Sequence, residues 1–460
     1  MRPRPGGGWL FWPAAAALLL LAARLRGPEY DEAYSIFLTA GHARPAWPQG
    51  VFTAGSVRWL YDGHASFWRI AQNLRRGDVH PPLYFWALEL WRRAAGMGWF
   101  TARLLSVGFT LAGLAGLSRI ALLCRLPALP VLAMALLSYG FCYTGILARP
   151  YALVQALDIW GVYFALRAER DARAAPMAGL CFGAAVFSDY LAVFTAAAML
   201  AWLCWRHWRR GAVTLAVMLS WLTACFWFFL AQHASRNGQF AAFAWGPALN
   251  EMFQDGGAAL FGGLPLYAGG ARVVMAVLLG LLGLAGVVFA ARRPQGVGFL
   301  ALAAATPLGL LALGVIFHNT PIEIRYLAFG LPWVALAVAP ALPGVLLALW
   351  LGVGAAAVAG LMLANSTMQP QGRAARLAAA YPGDVVALPY GNDGVGVPGP
   401  FIEAAPDAMR LLLVHPGDAV PPGAVRVAIK ADQSSRAVAA EMACPGPVCG
   451  PLSPGPESPR

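Results

Sequence analysis

Residues 272–317 read RVVMAVLLGLLGLAGVVFAARRPQGVGFLALAAATPLGLLALGVIF. Two apolar runs, 272–290 and 297–317, flank a short turn that carries Arg292 and Arg293. A bilayer core about 30 Å thick takes about 20 apolar residues per helix, and with no water there to satisfy peptide groups such a run crosses as a helix. Outward from this pair the pattern recurs at 9–25, 100–118, 128–147, 150–167, 176–189, 190–205, 212–231, 325–341 and 343–364. The chain reads as an all-α polytopic membrane protein of about eleven transmembrane helices.

Composition agrees. Of 460 residues 59% are hydrophobic and only 12% charged, with a mean hydropathy of +0.61, which excludes the charged surface of a soluble domain. The net charge of +12 would point to nucleic acid in a soluble protein. Here the arginines stand at the ends of apolar runs rather than on one basic face, so topology and phosphate binding explain them and no nucleic-acid partner is expected. Lys430 is the sole lysine, and the wealth of Ala, Gly and Pro marks a composition in which arginine is generally favoured, so a bare count of arginines carries little weight.

Arg2 and Arg4, Arg119 and Arg125, Arg167 to Arg173, Arg206 to Arg210, and Arg292 with Arg293 mark alternate ends of the spans, which are therefore expected to be cytoplasmic. The loops 26–99, 232–271 and 318–324 and the tail after residue 364 then lie outside. Arg2 and Arg4 before an apolar core, with Ala22-Ala23, also resemble a cleaved signal peptide. Trp9, Phe11 and Trp12 extend that core to spanning length, and a retained first helix keeps the charge alternation consistent. Cys124, Cys142, Cys181, Cys204 and Cys225 lie in or beside apolar runs, where a thiol packs as a small hydrophobe.

The first outer loop is patterned. Leu60, Phe67, Ala71 and Leu74 fall on one helical stripe with Arg58, Arg69, Arg75 and Arg76 around it, the signature of a helix lying on the membrane. Pro81-Pro82 suits a second helix start, followed by Leu83, Trp86, Leu90 and Trp91 at three- and four-residue steps. The tail holds the strand-like runs Val385–Leu388, Arg410–Val414 and Val425–Ile429, which predict a small α/β extracytoplasmic appendage. The division expected is a transmembrane domain over 1–364, a small domain over 365–443 and a Pro-rich disordered stretch over 444–460. Cys444 and Cys449 could pair if that stretch faces an oxidising compartment.

Chemistry concentrates in the same loop. Tyr30-Asp31-Glu32-Ala33-Tyr34 sets two adjacent carboxylates just outside the first span, where ionisable groups are costly unless they have work or partners; a solvated helix cap is the plainer reading. Gly77-Asp78-Val79-His80-Pro81-Pro82-Leu83-Tyr84 brings an Asp and a His before a rigid helix start, where Asp78 could cap the helix and His80 could merely pair with it. Arg149 and Arg325 stand at outer ends of spans, where the positive-inside rule disfavours them; an arginine that snorkels to headgroups is the plainer reading. A divalent cation between Asp31, Glu32 and His80 is chemically admissible, but the spacing fits no closed site, so no metal and no certain cofactor is expected.

Together these motifs resemble the C-type glycosyltransferases, whose first outer loop begins with an acidic pair and continues to an Asp-X-His-Pro-Pro-Leu segment, as in the protein O-mannosyltransferases and their bacterial relatives, the lipid A aminoarabinose transferases among them. Ala148-Arg149-Pro150-Tyr151-Ala152 is similar to the Ala-Arg-X-Tyr-Ala pattern of the bacterial members, and Arg325-Tyr326 opens a late span. The resemblance covers the membrane domain and not the tail. One departure is Ser188-Asp189-Tyr190, where many bacterial relatives carry Lys or His before the Tyr.

The resemblance implies an inner-membrane transferase of the cell envelope. Its sugar comes from a polyprenyl-phosphate donor and passes, usually with inversion, to a lipid, glycan or protein acceptor on the extracytoplasmic side. It also implies catalytic positions at Asp31, Glu32, Asp78 and His80, with Asp31 as general base, and substrate contacts at Arg149, Tyr151, Arg325 and Tyr326. The residue types suit this: a carboxylate can take the acceptor's proton, and guanidinium groups can hold a phosphate as charge grows on it. A transporter or flippase of lipid-linked sugars is the alternative, since it too would show many spans and a midplane polar site; the acidic residues here gather in one outer loop instead. A polysaccharide ligase or polymerase would share substrate and topology but not the Asp-X-His-Pro-Pro segment. An alkaline phosphatase fusion at Gly399 is expected to be active, because an odd number of spans separates a cytoplasmic amino terminus from the tail; activity there of a reporter that works only in the cytoplasm would reverse the topology.

Overall fold

The computed structural model describes residues 8–42, 44–233, 240–363, 370–391, 393–415 and 418–427. Cys444, Cys449 and the Pro-rich stretch lie outside them. The chain forms two compact units. One, the membrane unit, comprises Met1–Arg24, Ala71–Ala87 and Arg103–Leu363; the other, the loop-and-tail unit, comprises Leu25–Ile70, Leu88–Ala102 and Ala364–Arg460.

The protein is mainly helical, and helix occupies each of the eleven apolar stretches. Five helices, Trp99–Leu123, Tyr190–Gln232, Gly269–Ala291, Pro294–Phe317 and Gly344–Leu363, are by themselves long and apolar enough to cross a membrane. Ala128–Leu137 and Tyr139–Ile146 make one further span if the 70° bend between them is counted as internal. Others are short: Phe11–Leu25 has 15 residues and Ala174–Val186 has 13, so length and composition alone do not establish eleven crossings. Leu278, Leu281 and Leu284 are exposed at 57, 57 and 59%, an outward apolar face that suits lipid rather than water.

The stretches at 190–205 and 212–231 are continuous in hydrogen bonding but not in geometry. His207, at φ −148° and ψ 75°, breaks the 40-residue helix Val193–Gln232 into two arms. A Cβ on Gly211 would sit 2.3 Å from Cys204 Sγ, so the arms fold closely against each other. Glycine also lets neighbouring helices approach: a Cβ on Gly179 would meet Thr214 O at 2.5 Å, and one on Gly183 would meet the Trp221 ring at 2.4 Å.

In the loop-and-tail unit the three expected tail strands occur as β2 (Val385–Pro389), β3 (Arg410–Val414) and β4 (Val425–Arg426), after β1 (Val51–Thr53) from the first loop. The sheet order is β1-β3-β2-β4. β2 pairs in parallel with both β3 and β4, whereas β1 runs antiparallel to β3 in the register Val51 to Leu412. The tail therefore does not complete the sheet alone. Its apolar centre is Ala387, Val414 and Ala424, with Val385, Leu412 and Val420 packed around them.

The expected single stripe from Leu60 to Leu74 is two helices. A 3-10 helix covers Ala54–Tyr61 and an α-helix Phe67–Gly77. Asp62 is extended and Gly63 takes φ +112°, with Ala40 O 2.8 Å from where its Cβ would be, so the turn is fixed by a close approach that excludes a side chain. The second expected helix does follow the Pro-Pro pair, as Leu83–Ala95.

Arg92 is fully buried in this unit. It donates to Ile36 O at 3.0 Å, to Thr39 Oγ1 and to Tyr61 O, and burial lowers its pKa to about 10. Tyr61 is also buried and donates to Gly399 O at 2.8 Å, and burial pushes its phenol well above the usual value. Arg92→Met is expected to cost about 3 kcal/mol by leaving these acceptors unpaired; a thermal midpoint of the purified protein equal to wild type would show that the guanidinium carries no part of the fold.

Candidate functional site

The predicted site residues divide between the units. Asp78, His80, Arg149, Tyr151, Arg325 and Tyr326 belong to the membrane unit, and Asp31 and Glu32 to the loop-and-tail unit.

In the membrane unit the cluster grows from three non-helical joints. Gly77 ends one helix and the Pro pair delays the next until Leu83, whose N–H donates to Phe187 O at 3.3 Å. Leu147–Pro150 joins Tyr139–Ile146 to Tyr151–Ala168, and Asp189 precedes the short 3-10 turn Tyr190–Ala192. His80, Arg149 and Asp189 are all buried.

His80 sits among these groups. Its Nδ1 lies 2.8 Å from Asp78 Oδ1, and its Nε2 lies 3.6 Å from Asp189 Oδ2. The shorter distance assigns the Nδ1 proton to a bond with Asp78. The 3.3 Å contact of Arg149 Nη2 with that same nitrogen is then an approach of two donors, with Asp78 Oδ2 4.0 Å from Arg149 Nη1. Asp78 Oδ1 also accepts from Val79 N–H at 2.6 Å, so its carboxylate works within the cluster as well as at the turn.

Burial alone would lower the Arg149 guanidinium, yet Tyr151, Asp78 and Tyr326 around it hold its pKa above the ordinary value. It is a permanent cation in a site with little water. The ring of Tyr151 packs 6.5 Å from that of His80 and 6.3 Å from that of Phe329. Arg325 is ion-paired with Glu323, and its guanidinium lies 5.3 Å over the Tyr326 ring. Gln155 secures this side by donating to Thr144 Oγ1 at 3.0 Å and to Ala328 O at 3.3 Å.

Two participants escape a reading of motifs. Asp189 bonds Leu191 N–H through Oδ1 at 3.0 Å, while its buried Oδ2 makes no hydrogen bond among the described residues and faces the imidazole. The position stood out in sequence only as a missing base. Gln232 donates to Leu74 O at 2.9 Å and His80 O at 3.2 Å and accepts from Tyr190 OH at 2.6 Å. Its signal was slight: one amide at the end of a long apolar arm.

Asp31 and Glu32 occupy the first turn of Tyr30–Ala40, and both are buried. The acidic pair is therefore not a solvated cap. Glu29 and Glu32 form a reciprocal capping box, with Glu29 N–H donating to Glu32 Oε2 at 3.1 Å, and Arg26 donates to Glu29 at 3.0 Å. Glu32 thus has a structural duty. Among the described residues no group of three or more His, Cys, Asp and Glu is arranged to hold a metal ion.

The chain is similar in structure to ArnT from Cupriavidus metallidurans bound to undecaprenyl phosphate, at 13% identity and a TM-score of 0.48, over 90% of this chain and 87% of that one. It is similar to the apo state of the same protein at 15% identity and a TM-score of 0.46, over 89% and 86%. No family model and no curated protein matches it.

Arg149→Gln is expected to destabilise the protein by about 3 kcal/mol, because it removes a buried cation from the half-buried Asp78 carboxylate. Adding Asp78→Asn should recover a good part of that loss. Additive losses in the double variant, read from thermal unfolding in detergent, would mean that the two side chains are not coupled.

Proposed function

We propose that the protein is an integral membrane glycosyltransferase that takes a sugar from a polyprenyl-phosphate donor and transfers it on the extracytoplasmic side of a bacterial inner membrane. The observation that carries this reading is the cluster of buried Arg149, His80 and Asp189 with half-buried Asp78, and the Arg325–Glu323 pair, at the Tyr151 end of an 18-residue helix. That helix spans roughly 27 Å at about 1.5 Å per residue, close to a bilayer core. Its other end carries Arg167, followed by Arg170 and Arg173. If the arginine end is cytoplasmic, the cluster faces outward.

In this mechanism the acceptor's O–H or N–H group attacks the anomeric carbon, Asp31 takes the proton, and the bond to the phosphate oxygen breaks with its electrons leaving on polyprenyl phosphate. Arg149 and Arg325 hold the phosphate, whose oxygens match the planar fork of guanidinium donors. His80, clamped by Asp78, borders Arg149, while Tyr151 and Tyr326 wall the site. Glu32 supports Asp31 by fixing the helix on which it stands. The 70° bend at Ser138 also fits a transporter with a broken helix, so the assay must separate transfer from movement of lipid.

Purified protein with labelled polyprenyl-phosphate sugars and membrane extract is expected to yield a new labelled glycoside. Label that crosses the bilayer with no new glycosidic bond would favour the transporter. Asp31→Asn should keep fold and donor binding and lose about 10²–10⁴-fold in turnover. Arg325→Ala should weaken the donor's apparent affinity; unchanged affinity and turnover would make that residue a headgroup anchor. If Asp31→Asn keeps near-normal turnover while a folded Asp78→Asn loses it, the base lies in the His-Pro-Pro segment.

A further inference from the structure

The opposite end of the membrane unit carries a second charged surface, which the transfer reaction does not use. Trp205-Arg206-His207-Trp208-Arg209-Arg210 forms the break between the two arms of Val193–Gln232. The Ala174–Val186 helix and the end of Tyr151–Ala168 bring Arg167, Glu169, Arg170, Asp171 and Arg173 to the same place: Arg206 Nε lies 3.3 Å from Glu169 Oε1, and Arg210 donates to Ala168 O. The patch holds six arginines against two carboxylates. One of these, Asp171, lies 3.7 Å from Arg167, and the other is taken by Arg206. Arg170, Arg173 and Arg209 have no carboxylate partner among the described residues.

The same turn displays its indoles. Trp205 is 82% exposed and Trp208 68%, although tryptophan is ordinarily among the more buried residues. The backbone at His207 and the tight contact of Gly211 with Cys204 hold the turn closed, so these rings have no core to fold into. Beyond the rings, Leu180, Val213, Leu215 and Leu219 present an exposed apolar flank. An indole with its apolar body and polar N–H suits the bilayer interface; guanidinium groups without a carboxylate partner, that of Arg209 lying 5.5 Å over the Trp208 ring, suit a phosphodiester, and the flank suits acyl chains.

We propose that this turn is a binding site for an anionic phospholipid, its phosphodiester held by Arg170, Arg173 and Arg209, with Trp205 and Trp208 at headgroup level. The site is independent of the transferase reading. Charge complementarity selects this occupant: a zwitterionic lipid would offer the same tails but set a cation beside the arginines.

The test uses the full chain in neutral detergent and follows thermal unfolding while phosphatidylglycerol, phosphatidylcholine or soluble glycerol phosphate is added. Phosphatidylglycerol is expected to raise the midpoint by several degrees at a concentration at least tenfold below that at which phosphatidylcholine acts, and glycerol phosphate to do nothing. In R170Q/R173Q/R209Q the two lipids should become equivalent. Equal response of the wild type to both lipids, a preference that survives in the variant, or a full response to glycerol phosphate would each overturn the site. Should the triple variant fail to fold, quenching by brominated lipids decides. Brominated phosphatidylglycerol should quench the wild type more than brominated phosphatidylcholine, and W205F/W208F should abolish that difference; a difference retained in W205F/W208F places the lipid elsewhere.

Discussion

A guanidinium and an imidazole kept out of water are the constraint around which the membrane unit is organised. Arg149 cannot shed its proton, so its burial demands a compensating charge and donors aimed at acceptors. Asp78 supplies the charge, and the turn that carries Asp78 also fixes His80. Three segments must therefore meet: the residues before Pro81-Pro82, the joint before Tyr151, and the turn at Asp189. Each is a place where a helix stops, which is where a backbone can bend and a polar side chain can stand without breaking a ladder of backbone hydrogen bonds inside the membrane. The bend at Ser138 belongs to the same economy, since it ends one helix early and lets the next deliver Arg149.

What was legible in the sequence follows from how locally each feature is determined. An apolar run is its own evidence, because the bilayer imposes length and composition residue by residue, and helices stand at all eleven stretches. Asp78, His80, Arg149 and Arg325 were legible because each lies in a short motif. Asp189 and Gln232 were not: their partners are some 110 and 150 residues away in sequence (|i−j| = 152 for Gln232 and His80). No local pattern encodes such a pairing. The stripe from Leu60 to Leu74 failed for a related reason, because the close approach of Ala40 O to Gly63 interrupts a periodicity that is continuous by spacing alone.

The loop-and-tail unit shows a similar limit. Alternation and turn residues marked three of its strands correctly, but β1 is three residues long and its pairing with β3 is set by residues more than 350 positions later. The acidic pair was conspicuous for its charge, and both of its members are buried. Glu32 closes a capping box with Glu29, so its carboxylate already accepts from the Glu29 N–H at the helix N-terminus. Asp31, one residue earlier on the same turn, points elsewhere on the helix, since adjacent residues stand about 100° apart.

The two charged ends of the membrane unit differ in a way that composition hides. At the Tyr151 end the cations are few, buried or half-buried, and matched by carboxylates, the arrangement that fixes geometry at a cost in desolvation. At the Arg167 end they are many, exposed and in excess, the arrangement that attracts anions at little cost and is screened by salt. The same residue type thus performs two jobs separated by one helix, and an arginine count sees only their sum. Burial distinguishes them: Arg149 is buried and paired with a carboxylate, whereas Arg170 and Arg209 are exposed and have no carboxylate partner among the described residues.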